Sequence, residues 1–177
     1  MPRSALDWLA LAAGAPVGRL ATLHDESVDT VVDAAVEGPA VDGRAEDPAV
    51  DPAIDLVPFV FAWLAEPAPL GRLVHAVDHK PKRHDRLQRL RNVAAHPEVT
   101  VLVDHYDEDW SALWWVRVRG RASVLDPGGD ADGLAALVAK YAPYRRRPPR
   151  GPMVVIHIGE VRGWSGGVVP DPGGGRR

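Results

Sequence analysis

Between Trp114 and Leu125 the chain reads Trp-Trp-Val-Arg-Val-Arg-Gly-Arg-Ala-Ser-Val-Leu, with a charge at every second position through its middle. Side chains of an extended strand point alternately to opposite faces. Arg117, Arg119 and Arg121 therefore fall on one side, with Val116, Val118 and the small residues on the other. A strand with one wet face and one apolar face suits an antiparallel sheet folded over a core. Five further runs carry strand signals: residues 18–23, 54–64, 72–77, 98–105 and 153–158. Pro58 cannot donate a ladder hydrogen bond, which predicts an edge position or a bulge in the second run. Ser4 is placed to cap a short helix through Leu6, Leu9 and Leu11, and a second helix is predicted over 131–141. The expected fold is mainly β, in the α+β sense: a six-stranded antiparallel barrel with connecting helices.

The chain has 177 residues, enough for one domain with its own core. Cysteine is absent, which removes disulfide scaffolds, thiolate metal sites and cysteine nucleophiles. The histidines show no HExxH spacing, so no metal is expected. No basic leader opens the sequence and no apolar stretch nears the roughly 18 residues of a membrane span. The expectation is a cytoplasmic protein without a membrane partner. Charge is unevenly spread. Residues 24–53 hold nine acids against Arg44, a net of -8, so the overall -3 leaves about +5 for the remainder. That acidic segment, with Pro39, Pro48 and Pro52 and no aromatic residue, is expected to be a loose insertion in a domain spanning 1–165. Residues 166–177, rich in Gly, Pro and Arg, are expected to form a flexible tail.

Residues 78–92 carry six cations: Lys80, Lys82, Arg83, Arg86, Arg89 and Arg91. A strand-like run precedes them, and Leu87, Leu90, Val93 and Ala94 recur at helical spacing. Pro81 then falls near a first helical turn, where its missing N–H is harmless. Cations at a helix start oppose the macrodipole by about 0.3–1 kcal/mol each unless an anion compensates. Free N–H groups with nearby Lys and Arg suit a phosphate. A solvated cationic helix face is the alternative.

Several words of the sequence, in order, resemble the split β-barrel oxidoreductases related to pyridoxamine 5'-phosphate oxidase. They are Gly18-Arg19-Leu20-Ala21-Thr22, Leu56-Val57-Pro58-Phe59-Val60-Phe61, Asp78-His79-Lys80-Pro81-Lys82-Arg83, Arg89-Leu90-Arg91-Asn92-Val93 with Pro97, Leu102-Val103-Asp104-His105-Tyr106, Leu113-Trp114-Trp115-Val116-Arg117 and Gly163-Trp164-Ser165. The chain is most similar to the branch that uses the deazaflavin coenzyme F420. The resemblance implies an FMN-binding-like split barrel and a homodimer with the cofactor in a groove at the subunit interface. It also implies hydride transfer between F420, or alternatively FMN, and a small organic substrate. Under it, Lys80, Lys82, Arg83, Arg86 and Arg89 match the phosphate grip. Val57, Pro58 and Phe59 of the second strand, with Val77, Asp78 and His79 of the third, would line the ring through backbone groups. The acidic insertion replaces what is a tight hairpin in such relatives.

No catalytic constellation is visible, which fits a reaction whose electrons a cofactor carries. Tyr106, His105 and His79 are candidate proton donors by placement at strand ends, against a structural role for each. Trp110, Trp114 and Trp115 suit either ring stacking or packing. Arg117, Arg119 and Arg121 suit an anionic tail or a solvated face, the latter preferred. A non-catalytic flavin, haem or tetrapyrrole binder is the alternative within the fold. Nucleic-acid binding is disfavoured by the net acidity.

Overall fold

The computed structural model describes residues 3–24, 53–77 and 88–167. The body of the acidic insertion and the C-terminal tail, like Lys80, Lys82, Arg83, Arg86, Asp78 and His79, lie outside the described residues.

Helix α1 (Ala5–Gly14) begins with a reciprocal cap: Ser4 accepts from the Asp7 N–H, and the Asp7 carboxylate accepts from the Ser4 N–H at 2.8 Å. Its Leu9, Leu11 and Ala12 are buried. Seven antiparallel strands follow: β1 (Gly18–His24), β2 (Ala53–Phe59), β3 (Ala62–Leu64), β4 (Arg72–Ala76), β5 (Glu98–His105), β6 (Trp114–Leu125) and β7 (Met153–Ser165), in the spatial order β2-β1-β5-β6-β7-β4-β3. Between them lie α2 (Gln88–Ala95), α3 (Ala131–Lys140) and α4 (Ala142–Arg146).

The split-barrel architecture stands, with seven strands rather than six. The predicted second strand is two strands: β2 pairs with β1 at one end of the sheet order, and β3 pairs with β4 at the other. Only Val60 and Phe61 separate them, and three Cα–Cα steps reach at most about 11 Å. The two ends of the sheet must therefore meet, which rolls it into a barrel. Pro58 sits on β2, an end strand of the sheet order, as its missing N–H predicts. The last strand runs on to Ser165 because β6 offers partners along its whole length, from Leu125↔Met153 to Trp114↔Ser165. The Arg- and Pro-rich stretch 144–149 begins inside α4, where Tyr144 is buried under α3.

Alternation on β6 is as expected, with Val116, Val118, Gly120 and Ala122 buried. Leu20, Phe61, Val101, Val103, Val116 and Val118 fill the barrel. A second apolar cluster, including Leu137, Val74 and Met153, lies under α3. The β1–β2 register is continuous from Gly18↔Phe59 to His24↔Ala53, so the acidic insertion leaves and rejoins the sheet at paired positions. No helix among the described residues is long and apolar enough to cross a membrane.

Candidate functional site

Among the described residues, strand β2 is hydrogen-bonded on one side only, to β1. Alternate backbone groups along Ala53–Phe59 therefore face away from the sheet, a row available to a planar ligand. Val57 is half-buried on the inner side, Pro58 exposed and Phe59 buried. Beyond Phe59 the chain crosses to β3, and here β4 comes alongside. His75 Nδ1 lies 2.9 Å from the Val60 carbonyl, and its ring meets Phe59 edge-on at 5.7 Å. Val77, one residue past β4, donates its N–H to Pro152 at 2.9 Å. Of the predicted ring-lining residues, Val57, Pro58 and Phe59 are on β2 and Val77 follows β4, the strand whose His75 reaches Val60 and Phe59.

The break leaves Phe61 without a strand partner, and α3 supplies one. Tyr141 Oη accepts from the Phe61 N–H at 3.0 Å, and Lys140 Nζ donates to the Phe61 carbonyl at 3.0 Å. The single tyrosine proton has two carbonyl acceptors in reach, Phe61 O and Pro16 O, each at 2.9 Å. Lys140 also lies over the Phe61 ring, 4.1 Å from its centroid. Burial pushes the Lys140 ammonium down to about 8, and burial raises the Tyr141 phenol above its ordinary value.

Arg89, the described member of the cationic grip, is on α2. That helix is tied to β1 and β2 by Asn92. Its Nδ2 donates to Thr22 Oγ1 at 3.0 Å and to Asp55 Oδ2 at 2.7 Å. Its Oδ1 accepts from Gln88 Nε2 at 3.0 Å, and His24 Nδ1 is 3.3 Å away. Gln88 in turn contacts His24 Nδ1 at 2.8 Å and accepts from Arg91. Thr22 and Asp55 are register partners on the inward side of the β1–β2 hairpin. Helix α2, which carries Arg89, is thereby tied through Asn92 to one side chain of β1 and one of β2.

On the outer face, β5 and β6 form a shallow cavity of about 330 Å3 lined by Leu102, Asp104, Tyr106, Trp115 and Arg117. Arg19 pairs with Asp104 beside it, and Trp164 is the register partner of Trp115. The same face exposes Ile54 (69%) and Leu56 (62%), and the β5–β6 turn exposes Tyr106 (81%) and Trp110 (79%). The tryptophans divide: Trp114 packs against the barrel core, Trp115 lines the cavity and Trp110 is exposed. His105 stacks on Trp114 at 6.2 Å and lies 3.8 Å from Asp107. Arg119 and Arg121 pair with Glu160 at 3.5 Å and Glu98 at 2.7 Å on the surface, while Arg117 turns to the cavity. No group of three His, Cys, Asp or Glu residues among the described residues converges as a metal set.

Sequence reasoning missed the Thr22–Asp55–Asn92 hub and the Lys140–Tyr141 pair. A signal for the first was present. Thr22 and Asp55 occupy inward strand positions where the pattern Leu20, Val57, Phe59 calls for apolar residues, and Asn92 interrupts the apolar stripe of α2.

No family profile matches the sequence, and no curated protein does either. Solved structures share the fold. An FAD-binding protein from Mesorhizobium loti is 20% identical with a TM-score of 0.55, covering 91% of this chain and 94% of that one. A conserved hypothetical protein from Mycobacterium tuberculosis is 15% identical with a TM-score of 0.57, covering 89% and 82%. A haem-binding protein from Mycobacterium smegmatis is 20% identical with a TM-score of 0.55, covering 94% of this chain and 60% of that one.

Proposed function

We propose that this protein is an F420-dependent oxidoreductase acting on a small organic molecule, with the deazaflavin held along the free edge of β2. The observation that supports the reading is that β2, whose outer edge is unpaired among the described residues, is tied through Asp55 and Asn92 to the helix that carries Arg89. Backbone groups of Val57, Pro58 and Phe59, with those of Val77, Asp78 and His79, would contact the ring. Lys80, Lys82, Arg83, Arg86 and Arg89 would hold the phosphate. When bound, the deazaflavin supplies a hydride. The chain's own contribution is to bind, orient and exclude water, for which a packed barrel wall and fixed backbone donors are suited.

The outer face supports a homodimer. Ile54, Leu56, Tyr106, Trp110 and Trp164 together expose more large apolar surface than a monomer needs. Trp115 and Arg117, which line the cavity on that face, would serve a site completed by a second copy. Leu56→Asp should therefore give monomers by sedimentation velocity; a monomeric wild type defeats this part.

A second reading keeps the groove and changes the ligand. The fold neighbours described as FAD-binding and haem-binding favour an FMN enzyme or a non-catalytic flavin or haem carrier. Titration of the purified protein with F420 and, in parallel, FMN, followed by tryptophan fluorescence, separates the two. Saturable micromolar binding of F420 with weak FMN binding supports the deazaflavin reading. FMN binding alone moves the protein to the flavin reading, and binding of neither rejects both redox readings.

A further inference from the structure

We infer that the cavity on the outer face of β5 and β6 binds a small planar organic carboxylate, with Arg117 taking the anion. The inference stands on the described residues alone and does not depend on which redox cofactor the protein carries. One transverse row of the sheet supplies the charge. Pro58 on β2, Arg19 on β1, Leu102 on β5, Arg117 on β6 and Arg162 on β7 are successive register partners, so three arginines share one line across the outer face. Arg117 and Arg162 stand directly opposite each other, a like-charge pairing that destabilises a sheet unless something negative offsets it. Two of the three have a carboxylate: Arg19 pairs with Asp104, and Arg162 with Glu160. Arg117 is half-buried, yet its side chain makes no ion pair or hydrogen bond among the described residues. The carboxylate that feels its charge, Glu160, is already bonded to Arg162 and paired with Arg119.

The walls of the cavity say which anion fits. Its volume of about 330 Å3 is at the small end of ligand sites. Trp115, Tyr106 and Leu102 line it, and Asp104, its one acid, is committed to Arg19. Trp164, the register partner of Trp115, is 48% exposed beside it and extends the apolar surface. Aromatic walls favour a flat ring, which can stack on them or meet them edge-on. A guanidinium fork matches the two oxygens of a carboxylate. One uncompensated cation calls for one negative charge; a phosphate dianion would meet the Asp104 carboxylate with a single cation to balance it. The ligand class is therefore a monocarboxylate carried on one or two flat rings.

The test is calorimetric titration of the full chain with 2-naphthoate and with its uncharged isostere, 2-naphthamide. Wild type should bind the acid saturably and the amide about tenfold or more weakly, the loss of a charge-assisted contact. In Arg117→Met the affinity for the acid should fall to that for the amide, whose own affinity should not move. Trp115→Leu should weaken both probes by similar factors. Arg121→Met, on the same face but paired with Glu98, should change neither, which separates a built site from general attraction to a cationic surface. Should Arg117→Met fail to fold, Arg117→Lys keeps the charge, loses the fork and should bind the acid with an affinity between that of wild type and that of the amide. Equal binding of acid and amide by wild type, or an Arg117→Met variant that binds the acid as wild type does, overturns the inference. So does a wild type that binds neither probe; if Arg117→Met then also turns a dimer into monomers by sedimentation velocity, the partner of Arg117 is a carboxylate of a second copy.

Discussion

The pair formed by Arg72 and Asp130 locks α3 to the sheet, and breaking it should be measurable in three linked ways. Arg72 Nε donates to Asp130 Oδ2 at 2.8 Å and Nη2 to Oδ1 at 3.0 Å, a bidentate fork with side-chain exposures of 14% and 11%. The Oδ1 atom also accepts from the Gly133 N–H at 2.8 Å, capping α3. Asp130→Asn removes the charge and retains a capping oxygen. It leaves the largely buried guanidinium without its bidentate partner, with the Glu66 carbonyl and the more distant Asp132 and Glu66 carboxylates as partial compensation. Full loss of a buried partner typically costs about 3–5 kcal/mol. The residual exposure places the expectation at the low end, about 3 kcal/mol, or roughly 6–12 °C in Tm for a chain of this size.

Arg72→Met should cost a similar amount, because it strands the carboxylate instead. The double variant removes both charges and should be less destabilised than the sum of the two, by about 1–3 kcal/mol of coupling. Urea unfolding followed by tryptophan fluorescence gives all three values. The pH dependence carries a sign. The hydrogen bond from Arg72 holds the Asp130 carboxyl below its usual range. The pair's contribution is therefore complete above the unfolded carboxyl value, about 4, and fades as the pH falls through the folded one. The deficit of Asp130→Asn should shrink in acid. Additive single variants, or a deficit unchanged between neutral pH and acid, would refute the reasoning.

Three further outcomes are expected. Tyr141→Phe removes the hydroxyl that serves the Phe61 N–H and Pro16 carbonyl, and should lower the unfolding free energy by about 1–3 kcal/mol in the same urea assay. Gly163→Ala would place a Cβ 2.3 Å from the Trp8 ring, so α1 must shift, with a loss of about 1–3 kcal/mol and a changed near-ultraviolet spectrum. Lys140 is lowered to about 8 from 10.5 by burial, so the unfolded chain binds more protons between those values. The stability of wild type relative to Lys140→Met should consequently rise from pH 8 to 10.5, the reverse of a lysine stabilised by an acid, and a falling difference rejects the burial argument.

Most of the sheet was legible because its signals are local. Residues 98–105 and 114–125 carry the alternation of half-buried strands, and both ends of each match the structure. The cap of α1 was legible for the same reason, since Ser4 and Asp7 lie three residues apart. The division of 54–64 into two strands was not, because Val60 and Phe61 are as apolar as their neighbours and only closure of the barrel demands the break. The extension of β7 past Ile158 was hidden in a different way: Gly159, Glu160 and Arg162 lack an apolar pattern, and pairing with β6 alone makes them strand. In the candidate site, the ring-lining role given to Val57, Pro58 and Phe59 comes from the resemblance alone. The hub was not legible, since Thr22, Asp55 and Asn92 meet only after hairpin and helix are assembled.

The break at Val60–Phe61 is also where stability and the groove become one problem. A chain that passes from one end of a sheet to the other gives up ladder hydrogen bonds at the crossing, and buried backbone groups must find substitutes. Here the substitutes are side chains, Lys140 and Tyr141, at the end of α3, whose beginning is fixed by Arg72 and Asp130 on β4. The helix therefore spans from one strand of the seam to the link that makes the seam. Displacing either end of α3 alters the angle at which the chain leaves β2 for Phe61, and hence the line of backbone groups presented along Val57, Pro58 and Phe59. On this account the edge can remain unpaired and still be held straight: the rigidity that a neighbouring strand would have supplied comes from α3 at one end and from the Asn92 hub at the other.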